Sequence, residues 1–252
     1  MGEIIDERFR QEMLTNINKA SENFSFKLED TITDEITNGN IEKVNETLER
    51  ISLNDFIDDM FDSNHSEEEA LRAFKNLLLN INTFCRIAAK NGEVIPLILY
   101  LVYMRYNMLI ETSDSVEFLR DEIFLNIPRE YATIVAKYST RGYSKVMKEI
   151  VYEISQNLTK NLTLKEIASN HDIHPVHLAR KFKSETGITF IAYINELRID
   201  LAKYYFHLNE YRLSEVVHLA GFNSHSYFTK VFKKITGQTP TKYIKQLPFN
   251  TK

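Results

Sequence analysis

The chain has 252 residues, 43% of them hydrophobic, with only 7 Gly and 5 Pro, which excludes a disordered protein and leaves room for two packed domains poor in strands. Its single cysteine, Cys85, excludes an intramolecular disulfide, and with no secretory signal at the N-terminus the expected compartment is the cytoplasm. The net charge of −4 conceals a division: residues 1–144 carry 15 Lys+Arg against 26 Asp+Glu, a net of −11, and residues 145–252 carry 16 against 9, a net of +7. A basic C-terminal domain suits phosphate binding, whereas an acidic N-terminal domain would be repelled from DNA and suits partners or effectors.

In chain order, IEKVNETLERI (41–51) spaces Ile41, Val44, Leu48 and Ile51 at three and four, the period of one buried helical stripe. Asn38-Gly39-Asn40 breaks the chain before it and Asp62-Ser63-Asn64 after Phe61. A further helix is predicted from Glu67 to about Lys90, and within it Cys85 reads as a small buried hydrophobe rather than a redox sensor. The apolar run VIPLILYLVYMRYNMLI (94–110) is shorter than the roughly 20 residues of a membrane span and contains Arg105 and Asn107, so it reads as a helix in a protein core with Pro96 in its first turn. Another helix is expected from about Val116 into the 130s. Residues 1–144 contain no Gly-rich phosphate loop, paired-carboxylate motif or nucleophile elbow, and they lack the punctuated short strands of a sugar-binding barrel.

The C-terminal part contains a duplicated unit. Phe182, Lys183, Thr186, Gly187, Thr189, Tyr193 and Ile194 recur fifty positions later as Phe232, Lys233, Thr236, Gly237, Thr239, Tyr243 and Ile244. In the first copy, Thr163 and Glu166 have the capping-box spacing, predicting a short helix from Leu164 to about Asn170, then a turn at His171-Asp172-Ile173. Pro175 opens a second helix that Gly187 ends. In the second copy, Ser214 is the expected cap, Glu215 to Ala220 the first helix, and about Ser224 to Ile235 the second. First helices align at an offset of 49 and second helices at 50, which puts one extra residue in the second turn. Each copy, about 163–187 and 214–237, reads as a helix-turn-helix. The stretch AYINELRIDLAKYYFHL (192–208), free of Gly and Pro, is predicted to join them as one continuous helix.

Helical spacing turns Leu178 and Phe182 inward with Val176, Arg180 and Lys183 on another stripe, and likewise Phe228 and Phe232 inward with Ser226, Lys230 and Lys233 on the other. A helix entering a major groove N-terminus first puts its early residues at base edges. Arg180 is the strongest candidate for base reading, since a guanidinium bonds guanine O6 and N7 together, and Lys183, Lys233 and Lys234 suit phosphate. Each charge alone reads equally well as a solvated surface group; recurrence of the stripe favours DNA.

These residues carry a resemblance. LTLKEIA, HPVHLARKFKSETG, LRIDLAKYY and GFNSHSYFTKVFKKITGQTPTKYIK resemble the DNA-binding domain of AraC/XylS family bacterial transcription regulators. The resemblance implies an all-α fold: an N-terminal helical domain (1–144), followed by a DNA-binding domain (145–252) of two helix-turn-helix subdomains joined by a linker helix. It places Val176, Ala179, Arg180 and Lys183 on the first reading helix and His225, Ser226, Thr229 and Lys230 on the second. His174 stands where the family usually has a small capping Ser, and Val217 where it usually has Ala. The implied function is a transcription regulator, an activator by family analogy, with double-stranded DNA and RNA polymerase as partners and no cofactor, metal or catalysis. Residues from about Asn38 to Tyr138 resemble the helical region that precedes this domain in some Gram-positive members, which implies homodimerisation or response to an effector, small molecule or protein. There Phe84, Leu97, Leu101 and Tyr103 could line a cavity, although a plain core is the preferred reading.

Two other classes compete. His171, His174 and His177 have three-residue spacing that suggests a metal-responsive sensor, but no Cys or carboxylate stands at matching spacing. A helical protein-interaction adaptor, whose repeats only pack together, would show no salt-dependent DNA affinity.

Overall fold

The computed structural model describes residues 24–50 and 66–247, with side chains from residue 31 onward. Among the described residues the architecture is all-α: helices connected by turns, with one isolated bridge, Val94 to Ser139, as the only extended pairing. Packing divides the chain into two units, one running up to Gly92 with Leu109–Lys137 added, the other comprising Glu93–Met108 and everything from Tyr138 on. This differs from the charge boundary at residue 144, because most of an apolar helix early in the chain groups with the C-terminal unit.

In the first unit, α1 (Phe24–Thr37) packs against α2 (Ile41–Arg50) and α3 (Glu67–Asn91). The α2 stripe buries Val44 and Leu48 as its spacing predicts; Ile51 and the expected break at 62–64 lie outside the described residues. Ser66 and Glu69 start α3 with a reciprocal capping box, Ser66 N–H donating to the carboxylate at 3.0 Å and Glu69 N–H to the hydroxyl at 3.3 Å. Cys85 is fully buried in that helix. Asn82 also faces the core, where its side-chain oxygen accepts from the Tyr131 hydroxyl at 2.8 Å, so a buried amide keeps a partner.

The apolar run forms α4 (Pro96–Thr112), with Pro96 in its first turn. Leu101, like Phe84 of α3, is buried, whereas Leu97 and Tyr103 are half-exposed. No described helix is long and apolar enough to cross a membrane. The single helix expected from Val116 is instead broken: α5 (Val116–Phe118) widens into a π-helical stretch over Leu119–Phe124 before α6 (Asn126–Tyr138) begins. Pro128 supplies the reason: it sits in the first turn of α6, where its missing N–H is tolerated, but it cannot bond the carbonyl four residues back, at Phe124, so the α-helical ladder does not continue from the preceding segment.

The second unit continues with α7 (Lys145–Gln156), which buries Met147, Ile150, Val151 and Ile154. Two short-helix pairs follow around a long one: α8 (Leu164–Asn170) and α9 (Pro175–Thr186), then α10 (Phe190–Leu208), then α11 (Leu213–Leu219), α12 (His225–Thr236) and α13 (Pro240–Lys245).

Candidate nucleic-acid interface

The seven repeated identities are, with one exception, the frame of each helix pair rather than its exposed face. Phe182 and Phe232 are fully buried, and Tyr193 and Tyr243 meet them edge-on at 5.4 and 5.5 Å. Thr186 and Thr236 donate back to the carbonyls of Phe182 and Phe232 at 2.7 and 2.8 Å. Gly187 and Gly237 take left-handed φ values of 78° and 77° that end the helix, and Thr189 and Thr239 then cap α10 and α13. Ile194 is buried and Ile244 packs on the second core. Of the seven, only Lys183 and Lys233 are exposed on the second helices themselves; Gly187, Thr189, Gly237 and Thr239 are exposed where one helix ends and the next begins.

The first unit opens with the predicted capping box: Glu166 N–H donates to the Thr163 hydroxyl at 3.2 Å, and Thr163 N–H to the Glu166 carboxylate at 3.2 Å. Its turn is fastened to α7. Glu153 accepts from Asn170 at 2.6 Å and pairs with His171 Nε2 at 2.7 Å, while Asp172 adopts a left-handed φ of 52°. His174 still caps α9, its Nδ1 accepting from Val176 N–H at 3.4 Å, close to the 3.3 Å of the Ser224 cap on α12. His171 therefore faces a carboxylate and His174 a helix end, and no group of three or more potential metal ligands comes together among the described residues.

The second unit departs from expectation at its first helix. The N-cap is Arg212, not Ser214, and α11 begins at Leu213, because Glu215 sits three residues after Arg212 and accepts its backbone N–H at 2.7 Å. The 49-residue offset from Thr163 falls on the same residue. The longer turn, Ala220 to Ser224, holds the extra residue and passes through Gly221 at φ 82°. A Cβ there would lie 2.9 Å from Thr159 Cα and 3.0 Å from Leu158 O, so the position requires glycine on two grounds. Val217, where a smaller Ala is usual, is accommodated fully buried.

The inward residues Leu178, Phe182, Phe228 and Phe232 are all fully buried, which turns the opposite stripes outward. Val176, Ala179, Arg180 and Lys183 are exposed on α9; His225, Ser226, Lys230 and Lys233 are exposed on α12, and Thr229 is half-buried. Ala179, Arg180 and Lys183 share a groove of about 690 Å³ with Leu164, Thr189 and Ile191. Val176 lies outside the residues that line it.

What joins the two helix pairs is not visible in sequence spacing. Arg198 of α10 donates from Nε to Leu158 O at 2.9 Å and from Nη2 to Lys160 O at 2.7 Å, and its guanidinium stands 5.7 Å from the centre of the Phe222 ring in the second turn. Burial pulls this guanidinium below its ordinary pKa, against a smaller opposing influence from Tyr227. Asn195, one turn earlier on α10, donates to the Tyr227 hydroxyl of α12 at 2.9 Å. Tyr138 donates a 2.5 Å hydrogen bond to Asp200 of the same helix, and burial first, then Asp200, pushes its phenol well above the ordinary value. The only sequence trace of these roles is a scatter of polar residues along an otherwise apolar helix.

Comparison with known proteins falls on this region. Residues 167–246 match a helix-turn-helix domain family. The chain is 36% identical over 90 residues to the bifunctional transcriptional activator/DNA repair enzyme AdaA of Bacillus subtilis, covering 36% of this chain and 43% of AdaA. It is 26% identical over 157 residues to the regulatory protein PocR of Salmonella typhimurium, covering 59% of this chain and 52% of PocR. The chain thus spans about half or less of the length of these curated relatives. The C-terminal domain of AraT, a response regulator from Geobacillus stearothermophilus, superposes with a TM-score of 0.39 at 28% identity, covering 41% of this chain and 85% of that one.

Proposed function

With residues 167–246 forming a helix-turn-helix domain of the AraC/XylS family, we propose that the chain is a sequence-specific DNA-binding transcription regulator that reads two successive major grooves. The observation that carries this reading is the pair of outward stripes, Val176–Lys183 on α9 and His225–Lys233 on α12, mounted on one uninterrupted helix of 19 residues. At a rise of 1.5 Å per residue that helix is about 28 Å long, commensurate with the roughly 34 Å between grooves on one face of DNA. Val176, Ala179 and Arg180, with Ser226, Thr229 and Lys230, take the base edges; Lys183, Lys233 and Lys234 take phosphates, and His225 sits at the groove end of α12.

Activation is the mode favoured by the name of AdaA, with RNA polymerase as the partner. The repair activity in that name belongs to AdaA, of whose length the match covers 43%. The acidic N-terminal helices, residues 1–144 by charge, serve homodimerisation or response to an effector. The test is a titration of the full chain on DNA at several salt concentrations. Three cations on phosphates, Lys183, Lys233 and Lys234, predict a slope of log affinity against log salt of about −3. A slope near zero would favour a protein-binding adaptor instead.

A further inference from the structure

The two reading helices share one frame, yet their outward positions differ in chemistry. At offset 50, Val176 corresponds to Ser226, Ala179 to Thr229 and Arg180 to Lys230. Val176 is 52% exposed at the second residue of α9, and Ala179 and Arg180, three and four residues on, are exposed on the same side. The matching site on α12 is the exposed hydroxyl of Ser226. An apolar branched side chain at the leading end of one helix, and a hydrogen-bonding one at the same place in its copy, mark different ligands for the two.

Base edges in the major groove are hydrogen-bonding groups with one apolar exception, the C5 methyl of thymine. A valine that enters the groove gains from water exclusion only against that methyl, and it desolvates any polar edge without repayment. Resting on the DNA-reading role above, we infer that Val176, backed by Ala179, selects a thymine in the half-site of the first unit by packing on its C5 methyl, beside a guanine held by Arg180. The second unit reads its half-site by hydrogen bonds from Ser226 and Lys230. Val176 is then a specificity-determining residue, and the ligand group it recognises is a methyl, which 5-methylcytosine also presents.

The test uses the full chain and a site selected from random DNA, with each thymine of the first half-site replaced in turn by uracil, which keeps every hydrogen-bonding group and removes the methyl. One position should weaken binding about fourfold, the value of one buried methyl. Val176→Ser, which installs the residue of the second unit at an exposed position, should abolish that difference while helicity stays unchanged. Ser226→Val should create a thymine-over-uracil preference in the other half-site. At the sensitive position, 5-methylcytosine should bind better than cytosine. Uracil tolerated throughout the first half-site, or a uracil penalty that persists in Val176→Ser, overturns the assignment while leaving DNA reading intact. Failure to select any site overturns the DNA reading, and the assignment with it.

Discussion

Arg180 and Lys233 occupy matched faces of the two reading helices but should fail differently when truncated. Arg180→Ala is expected to flatten discrimination, lowering affinity for the selected site by about 1–3 kcal/mol while leaving random DNA nearly unchanged. Lys233→Ala should weaken specific and random DNA alike and reduce the salt slope by about 1. Equal losses on both kinds of DNA for both variants would contradict the division. A third residue predicts a pH effect. Glu185 accepts the backbone N–H of Ser144 at 2.7 Å and pairs with Lys181 at 2.7 Å. Burial, the largest single influence, raises the Glu185 carboxyl, but the bonds from Lys181 and Ser144 outweigh it and hold the group below its ordinary 4.5. A depressed folded-state pKa means stability that is fully present above 4.5 and is lost as pH falls below it. The melting temperature of Glu185→Gln should therefore change less on acidification through that range than that of the parent chain. The outward stripes were legible from helical spacing, because burial of Leu178, Phe182, Phe228 and Phe232 leaves them no other direction. Glu185 was not, since its partner Ser144 lies 41 residues away and nothing local announces the pair.

At the scale of elements, local chemistry is legible where the capping residue is of a usual type, and hidden where it is not. The Thr163 box and the Gly187 stop follow from neighbours within four residues and appear as expected. The start of α11 does not: the Glu215 carboxylate, three residues on, holds the Arg212 N–H, so the cap falls on Arg212, a residue type that rarely caps, and not on Ser214. The two turn glycines give a graded prediction. Gly187→Ala meets no atom within 4 Å, so only the left-handed backbone opposes it, about 1–2 kcal/mol. Gly221→Ala adds a clash with the Thr159 backbone and should cost about 3 kcal/mol or more in total. Thermal melts should rank them in that order, and equal effects would show that the second turn relaxes. Arg198 joins the loop after α7 to both α10 and the second turn. Arg198→Met should cost about 2–3 kcal/mol by removing charged donors to two carbonyls, and it should broaden the half-site spacings the protein tolerates.

Over the whole molecule, the division into a net −11 and a net +7 foretells which part meets phosphate, but not how the chain packs. Most of α4 is acidic-half sequence and yet groups with the basic unit. Apolar surface carries no charge signature, so a boundary drawn from charge alone could not follow it. On the proposed reading the opposed charges would also orient approach, drawing a DNA duplex to the basic unit and repelling it from the acidic helices. The central claim is that two copies of one frame, carrying different outward residues, read one stretch of duplex together. The measurement that tests it most directly is selection of bound sequences from random DNA by the full-length chain. The account predicts two short, unlike motifs about 10–10.5 base pairs apart, with the spacing held nearly constant. Recovery of a single motif, of motifs at arbitrary spacing, or of no enriched sequence would contradict it.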